Sequence, residues 1–503
     1  MSTTKKRQFI LLNLLAALVV SAMSCNSKHE EEETEIAVTP ALVAVKNFYL
    51  KANDSVMAKL DSVFFSIDLD SGVIFNADSL PKGTNVSKLV PSITFANSMT
   101  KAELKFKYNN LKDSTVNYLT NPDDTIDFTS PVILDVTAAD GVNNFSYTIK
   151  VNVHLQDPDT IVWTNLAVTQ LPSRFESPVS QKTVIKDNIV YCLIEEYNGE
   201  YTLSTSSDLN EGIWVKNQFD PGFEPYTGSL TVAHDNFYLQ NTQGEIYSSP
   251  DLQEWSPTGE KWIYILGAYG DGILGVRNDN EQFFHVQYPA SEGFEVKPVE
   301  KGFPIYNASY LGVIESRWAD KPIAIIACGV TEGGSYSSAV WAYDGSDWAI
   351  INDDDLPPLE MPMMTRYVVY RATPQLFQER RFDIWLLFGG YTESEEMNRK
   401  VYMSYNNGVD WQLAPQGMQL PEKVPSLGGS DVIVAGYELS ADLSDAWKKA
   451  EATRASYTIE GFDISWICPY LYIFGGYHPY PDNSLNTEIW RGVLQRLEFT
   501  PDI

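Results

Sequence analysis

An order of events recurs along the last two thirds of this chain and restricts its fold more than any other feature. An apolar run is followed by a turn, an alternating run, a second turn and a tryptophan. Residues 383–412, DIWLLFGGYTESEEMNRKVYMSYNNGVDWQ, carry the whole series. IAIIACGVTEGGSYSSAVWAYDGSDW (323–348), VYCLIEEYNGEYTLSTSSDLNEGIW (190–214) and FYLQNTQGEIYSSPDLQEW (237–255) repeat it. GILGVRNDNEQFFHVQYPASEGF (272–294) is a weaker copy with Phe294 in the tryptophan's place, and YLYIFGGYHPYPDNSLNTEIWRGVLQRLEF, from Tyr470, lacks the closing tryptophan strand. Short apolar or alternating runs bounded by turn residues read as strands. Units returning every ~40 to 60 residues read as a repeat architecture in which each unit buries its face against the next.

The strand missing from the last unit is present at the other end. VWTNLAVTQLP (162–172) matches WQLAPQGMQLP (411–421), so a strand from the start of the region can complete the final unit. That is how a β-propeller closes its ring, each blade being four antiparallel strands. The anchors Trp163, Trp214, Trp255, Phe294, Trp348 and Trp411 then count six blades. The double glycines of IWLLFGGY (384–391) and LYIFGGY (471–477) end strands in tight exits that other residues cannot make. This order of apolar-Gly-Gly, Asn, aromatic and Trp resembles the Kelch repeat of galactose-oxidase-type propellers. Ser404 to Trp411 (SYNNGVDW) resembles an Asp-box turn with Asn406 for the usual Asp, and Ser249-Pro250-Asp251-Leu252 before Trp255 is a degenerate echo. The resemblance implies a structural role for that turn.

Before the repeats, residues 36–157 read as a separate β-sandwich. Phe145, Tyr147, Ile149, Val151, Val153 and Leu155 alternate with polar residues, as a strand with one buried face does. The preceding FTSPVILDVTAADG reads as a strand and a turn at Asp140-Gly141. The stretch resembles the last hairpin of Ig-like modules in Bacteroidetes surface lipoproteins, where such modules are spacers. The same half holds Asp-Ser/Thr triplets around Ser55, Ser62, Ser79, Ser114, Thr125 and Thr160, which resemble the O-glycosylation site of Bacteroidetes exported proteins; turns are also rich in these residues. The expected class is therefore all-β: an Ig-like sandwich, then a six-bladed Kelch-like propeller over 158–503 closed by an N-terminal strand.

The first 24 residues read as a targeting segment: Lys5, Lys6 and Arg7, then the apolar run 9–20, shorter than the ~20 residues that span a bilayer. Ala22-Met23-Ser24-Cys25 resembles a bacterial lipobox, which implies lipidation of Cys25; an ordinary signal peptide is the alternative. Residues 25–35, with Glu30 to Glu33, read as an acidic tether. An acidic tract at that place resembles the export signal of Bacteroidetes lipoproteins, which implies an outer-membrane protein displayed at the cell surface. The whole layout resembles a family of Bacteroidetes lipoproteins of unknown function.

A net charge of −30 over 503 residues argues against nucleic acid, whose phosphates would repel the chain. Cys192, Cys328 and Cys468 sit in apolar strand-like runs at no metal-ligand spacing and read as small buried hydrophobes. Residues 440–455, SADLSDAWKKAEATRA, place Leu443, Ala446, Trp447 and Ala450 on one face of a helix that Ser440 can cap.

Fold does not decide function, so the site must. Galactose-oxidase-type copper chemistry needs paired histidines, and His154, His234, His285 and His478 are scattered; no metal or other cofactor is expected. Arg174 and Arg366 stand near first strands and could face the channel, in the manner of a sialidase-like hydrolase, but they fall short of an arginine cluster and ion pairing on an acidic protein accounts for them equally. Antiparallel strands bring the blade-entry segments and the loops between second and third strands to one rim. That rim carries Tyr226, Trp262, Tyr264, Tyr306, Tyr391, Tyr477, His478 and Tyr480. Aromatic faces with polar tips suit sugar recognition, though packing at the ring's inner edge is the plainer role for Trp262, Tyr264 and Tyr306. The expectation is non-catalytic recognition of a glycan, or of an envelope or host glycoprotein, by a protein held in the outer membrane by its lipid. A glycan-active hydrolase and an envelope scaffold are the alternatives.

Overall fold

The computed structural model describes residues 40–76, 79–109, 111–154, 157–315, 321–373, 378–435, 453–459, 462–479, 482–495 and 497. Cys25, the acidic tether and Tyr480 lie outside them. The described residues fall into two compact units, one within 40–76 and 85–151, the other within 79–84 and 152–497.

In the first unit, six strands form one sheet in the order Ser66–Asp68, Val73–Phe75, Asn144–Lys150, Val132–Ala138, Met99–Tyr108 and Lys112–Asn117. A separate antiparallel pair joins Val45–Leu50 to Pro91–Phe95. Alternation works as expected at Tyr147 and Ile149, which are buried with Leu104, Leu134 and Val136. The Asp140 carboxylate builds the hairpin turn by accepting from the Val142 and Asn143 N–H groups at 2.9 and 3.0 Å. Val73–Phe75 pairs parallel to Asn144–Lys150, and one detail differs from the sequence expectation. The second of these strands stops at Lys150 rather than running to Leu155. Its partner begins at Val132, paired with Ile149, and the preceding Pro131 has no N–H to extend the ladder.

The second unit is a succession of antiparallel sheets. The first sheet is Pro178–Lys186, Ile189–Glu196, Tyr201–Ser206 and Val215–Phe219; the second is Thr231–Ala233, Asn236–Gln240, Glu245–Ser249 and Ser256–Lys261. The third is Tyr264–Tyr269, Gly272–Asp279, Gln282–Tyr288 and Lys297–Pro298; the fourth is Gly312–Ile314, Ile323–Ala327, Val340–Tyr343 and Trp348–Asn352. The fifth holds Met363–Thr373, Gln378–Phe388, Tyr402–Ser404 and Gln412–Leu413. In the sixth, Asp431–Ala435, Tyr470–Phe474 and Glu488–Leu494 are followed by Ile161–Gln170, which pairs antiparallel with Glu488–Leu494.

The recurring tryptophan has a packing reason. Each stands at or beside the start of a fourth strand and fills the gap to the preceding sheet. Trp255 meets Phe219 of the first sheet edge-on at 6.2 Å. Trp411 packs on Ile325 and Val340 of the fourth, and Trp163 on Met363 and Leu386 of the fifth. Trp214 meets Phe474 of the sixth at 6.3 Å. The third sheet is the exception: Phe294 joins neither of the buried clusters that hold that sheet. There Trp262, from the entry to that sheet, lies between Ile246 of the second and Ile273 and Val286 of the third. Large flat rings fill such wedges with few lost rotamers and much buried area.

The double glycines sit where the expectation put them, at strand exits. Gly389 and Gly390 have φ of +68° and +82°. A Cβ on Gly390 would stand 2.7 Å from the Glu360 carbonyl oxygen, so both dihedral and space demand glycine.

One insertion was not foreseen. Thr453–Ile459 and Phe462–Cys468 form a hairpin whose second strand pairs antiparallel with Met363–Thr373, extending the fifth sheet past its first strand. The helix expected over 440–455 lies largely outside the described residues, and its last three positions, Thr453, Arg454 and Ala455, belong to this hairpin instead. Those three open a β-branched and alternating run (TRASYTI) that favours a strand. Cys192, Cys328 and Cys468 are buried free thiols.

Candidate functional site

The first strands of several sheets line one cavity of about 540 Å³. Gly267 of the third sheet packs tightly at its wall, where a Cβ would lie 2.7 Å from the Leu311 Cβ. At its wall three polar side chains far apart in sequence converge. Lys182, in the first strand of the first sheet, places Nζ 2.9 Å from Asp431 Oδ1, at the head of the sixth sheet. The same ammonium donates to the Tyr310 hydroxyl at 2.6 Å and stands 3.8 Å from that ring's centroid. Tyr310, just before the fourth sheet, donates its own hydroxyl proton to Asp431 Oδ1. The Thr183 N–H donates to Asp431 Oδ2 at 2.5 Å. Asp431 is 2% exposed and Lys182 12%, so this is a buried pair. Burial pushes the Asp431 carboxyl above its ordinary value, against the opposing pull of Lys182 and the hydrogen bonds.

The cavity also reaches Tyr201, Tyr226, Tyr264 and Tyr477, with Glu195, Glu224, Thr242 and Asn307 among its polar lining. Tyr226 is 54% exposed. Its backbone is fixed, because its N–H donates to the Gln240 carbonyl at 2.8 Å and its carbonyl accepts from the Ser229 N–H at 3.0 Å. Tyr264 is half-buried, its hydroxyl 3.4 Å from the Ala308 carbonyl, and burial raises its phenol to about 12. Tyr477 is half-buried and its phenol is likewise raised, burial first. Glu195 accepts from the Ser180 hydroxyl at 2.8 Å and Glu224 from that of Thr242 at 3.3 Å.

The structure brings only part of the sequence-derived set together. Tyr226, Tyr264 and Tyr477 share the cavity. Tyr391 supports it from behind, its hydroxyl donating to the Tyr477 carbonyl at 2.7 Å. Tyr306 is 40% exposed and meets Tyr264 edge-on at 6.4 Å. His478 is half-buried and its N–H donates to the Ser484 carbonyl at 2.9 Å. Trp262 departs from the rim altogether: it is 2% exposed, with its indole N–H donating to Glu260 at 2.7 Å. The wedge between the second and third sheets claims it, because Phe294 leaves that gap open. The arginines are engaged elsewhere. Arg174 lies 3.6 Å from Glu200; Arg366 and Arg381 both close on Asp383 at 3.0 Å. Among the described residues no arginine lines the cavity. Nor is any group of three or more His, Cys, Asp or Glu side chains placed to hold a metal ion.

Lys182, Tyr310 and Asp431 escaped sequence reasoning, as did Glu195 and Glu224. The available signal was a charge inside an otherwise strand-like run, in PVSQKTVIK and at the start of DVIVA. A lone charge in an inner strand must find a partner, but nothing local says which one.

Comparison with known proteins places the chain. Residues 157–502 match the model of the DUF6242 beta propeller domain. The chain belongs to the DUF6242 family. Residues 41–151 match the N-terminal domain of the same family, a domain of unknown function. So the all-β chain carries a β-propeller domain in its second unit. No curated protein matches the DUF6242 chain in sequence. Among solved structures it is similar to YjhT, at 10% identity over 64% of this chain and 96% of that one, with a TM-score of 0.35. A mutant of AofleA from Arthrobotrys oligospora matches at 12% identity, over 67% and 94%, with a TM-score of 0.32. YCF48 from Cyanidioschyzon merolae matches at 9%, over 78% and 96%, with a TM-score of 0.28. Likeness this distant carries no inference about function.

Proposed function

We propose that this DUF6242 chain is a non-catalytic surface lipoprotein that recognises a glycan or glycoprotein through the mouth of its propeller cavity. On this reading Cys25 is lipidated, an Ig-like module follows the acidic tether, and six Kelch-like blades are closed by Ile161–Gln170. The succession of four-stranded sheets and the pairing of that strand with Glu488–Leu494 support the blade count and closure. The Asp-Ser/Thr sites remain O-glycosylation candidates: Ser55, Ser62 and Thr125 are exposed, Ser79, Ser114 and Thr160 half-buried.

One observation carries the binding reading. Tyr226, Tyr264, Tyr310 and Tyr477 surround a single cavity with hydrogen-bonding groups between them. Ring faces stack on the apolar faces of pyranoses while amides, hydroxyls and carboxylates take their hydroxyls. The engaged arginines weigh against a sialidase-like hydrolase, whose substrate carboxylate needs free guanidinium groups. A glycan array probed with the full chain, and with Tyr226→Ala and Tyr477→Ala, tests this. Selective binding lost in either variant is expected. Binding that both variants retain moves the site elsewhere, and turnover of a bound glycan refutes the non-catalytic reading.

A further inference from the structure

The cavity already holds one ammonium group, its own. Lys182 Nζ lies against the Tyr310 ring face at 3.8 Å and against the Asp431 carboxylate at 2.9 Å. A tyrosine face and a carboxylate together replace the water that a cation loses on burial. The same two group types recur at the mouth without a lysine: Tyr201, Tyr226 and Tyr477 line it with Glu195 and Glu224. Neither glutamate has a cationic partner among the described ion pairs; each accepts only a hydroxyl. The one lysine in the lining is committed to Asp431. The mouth therefore presents two negative charges and three phenol rings with no cation of its own. The chain's net charge of −30 adds a field in the same sense.

We propose that the ligand carries a free amino group, and that a sugar with an unacetylated amine is the glycan class this mouth selects. This rests on the glycan reading above. The ammonium would sit between Glu195 and Glu224 with a tyrosine face against it, and the pyranose ring would stack on Tyr226, the most exposed of the three phenols. An N-acetyl group at the same position removes the charge that the carboxylates attract.

The test is calorimetric titration of the full chain with a β-1,4-linked glucosamine tetramer, its fully N-acetylated counterpart, a panel of neutral oligosaccharides and a lysine tetrapeptide. The glucosamine tetramer is expected to bind at least about tenfold more tightly than the acetylated one. Glu195→Gln and Glu224→Gln are each expected to erase most of that ratio by weakening the glucosamine tetramer far more than the acetylated one, with melting temperatures close to wild type. Equal affinity for both tetramers, or binding confined to neutral sugars, overturns the amine preference and leaves the glycan reading standing. Binding of the lysine peptide with no sugar bound overturns both and directs attention to a protein partner. No binding by any member of the series overturns both as well.

Discussion

Breaking the Lys182–Asp431 pair is the sharpest test of how the cavity wall is built. Lys182→Met removes the cation and keeps the stem, leaving a carboxylate 2% exposed with the neutral donors of Tyr310, Thr183 and Gln181 but no cation. Removing one member of a buried pair costs about 3–5 kcal/mol, because the other stays buried and unpaired. Asp431→Asn strands the ammonium instead. The double variant Lys182→Met/Asp431→Leu strands neither, and apolar replacement of a buried pair is often near neutral. All twelve tryptophans lie beyond residue 157, so urea unfolding followed by tryptophan fluorescence reports on the propeller unit alone. The singles should each lose several kcal/mol and the double far less than their sum. The pH dependence has a definite sign. Burial raises the Asp431 carboxyl in the folded state, so its contribution is fully present below the unfolded value near ~3.9 and is lost as pH rises through the folded value. Lys182→Met removes the charge that opposes that rise, so the window should extend upward and the deficit against wild type should grow from about pH 4 toward neutrality. Singles that each cost under ~1 kcal/mol and add within ~0.5 kcal/mol in the double would refute the reasoning.

Other perturbations probe the packing and the second charge pair. Trp411→Ala opens the gap between the fourth and fifth sheets and should cost about 3–5 kcal/mol in the same fluorescence assay. Gly275→Ala would set a Cβ 2.3 Å from the Trp262 ring, so a loss of about 1–3 kcal/mol is expected, and Trp262→Leu in the same chain should recover part of it. His285 and Glu300 meet at 2.6 Å. Burial pushes the Glu300 carboxyl up, but the hydrogen bond and charge of His285 outweigh it and the net value lies below the ordinary one. That contribution is therefore present above the unfolded value and lost as pH falls through the folded one. Melting temperatures between pH 6 and 3 should fall less steeply for Glu300→Gln than for wild type; identical slopes would contradict this.

Sequence alone determined what is local. Strand runs, double-glycine exits, Asx turns and the tryptophan at the start of five of the six fourth strands are written in short windows, because alternation, positive φ and side-chain-to-backbone bonds are fixed within a few residues. The turn at Ser404 bears this out: its hydroxyl accepts from the Gly408 N–H at 2.9 Å, and Asn406 accepts from the Asp410 N–H at 2.9 Å. Only the tertiary structure decided what meets at the cavity wall. Lys182 and Tyr310 are 128 residues apart, and Tyr310 and Asp431 121, and no periodicity records such a pairing. It also gave Trp262 the buried place that the repeat assigns to Phe294. Both are aromatic residues near turns, and which one fills the wedge depends on the space left by neighbouring sheets rather than on either residue's own stretch of chain.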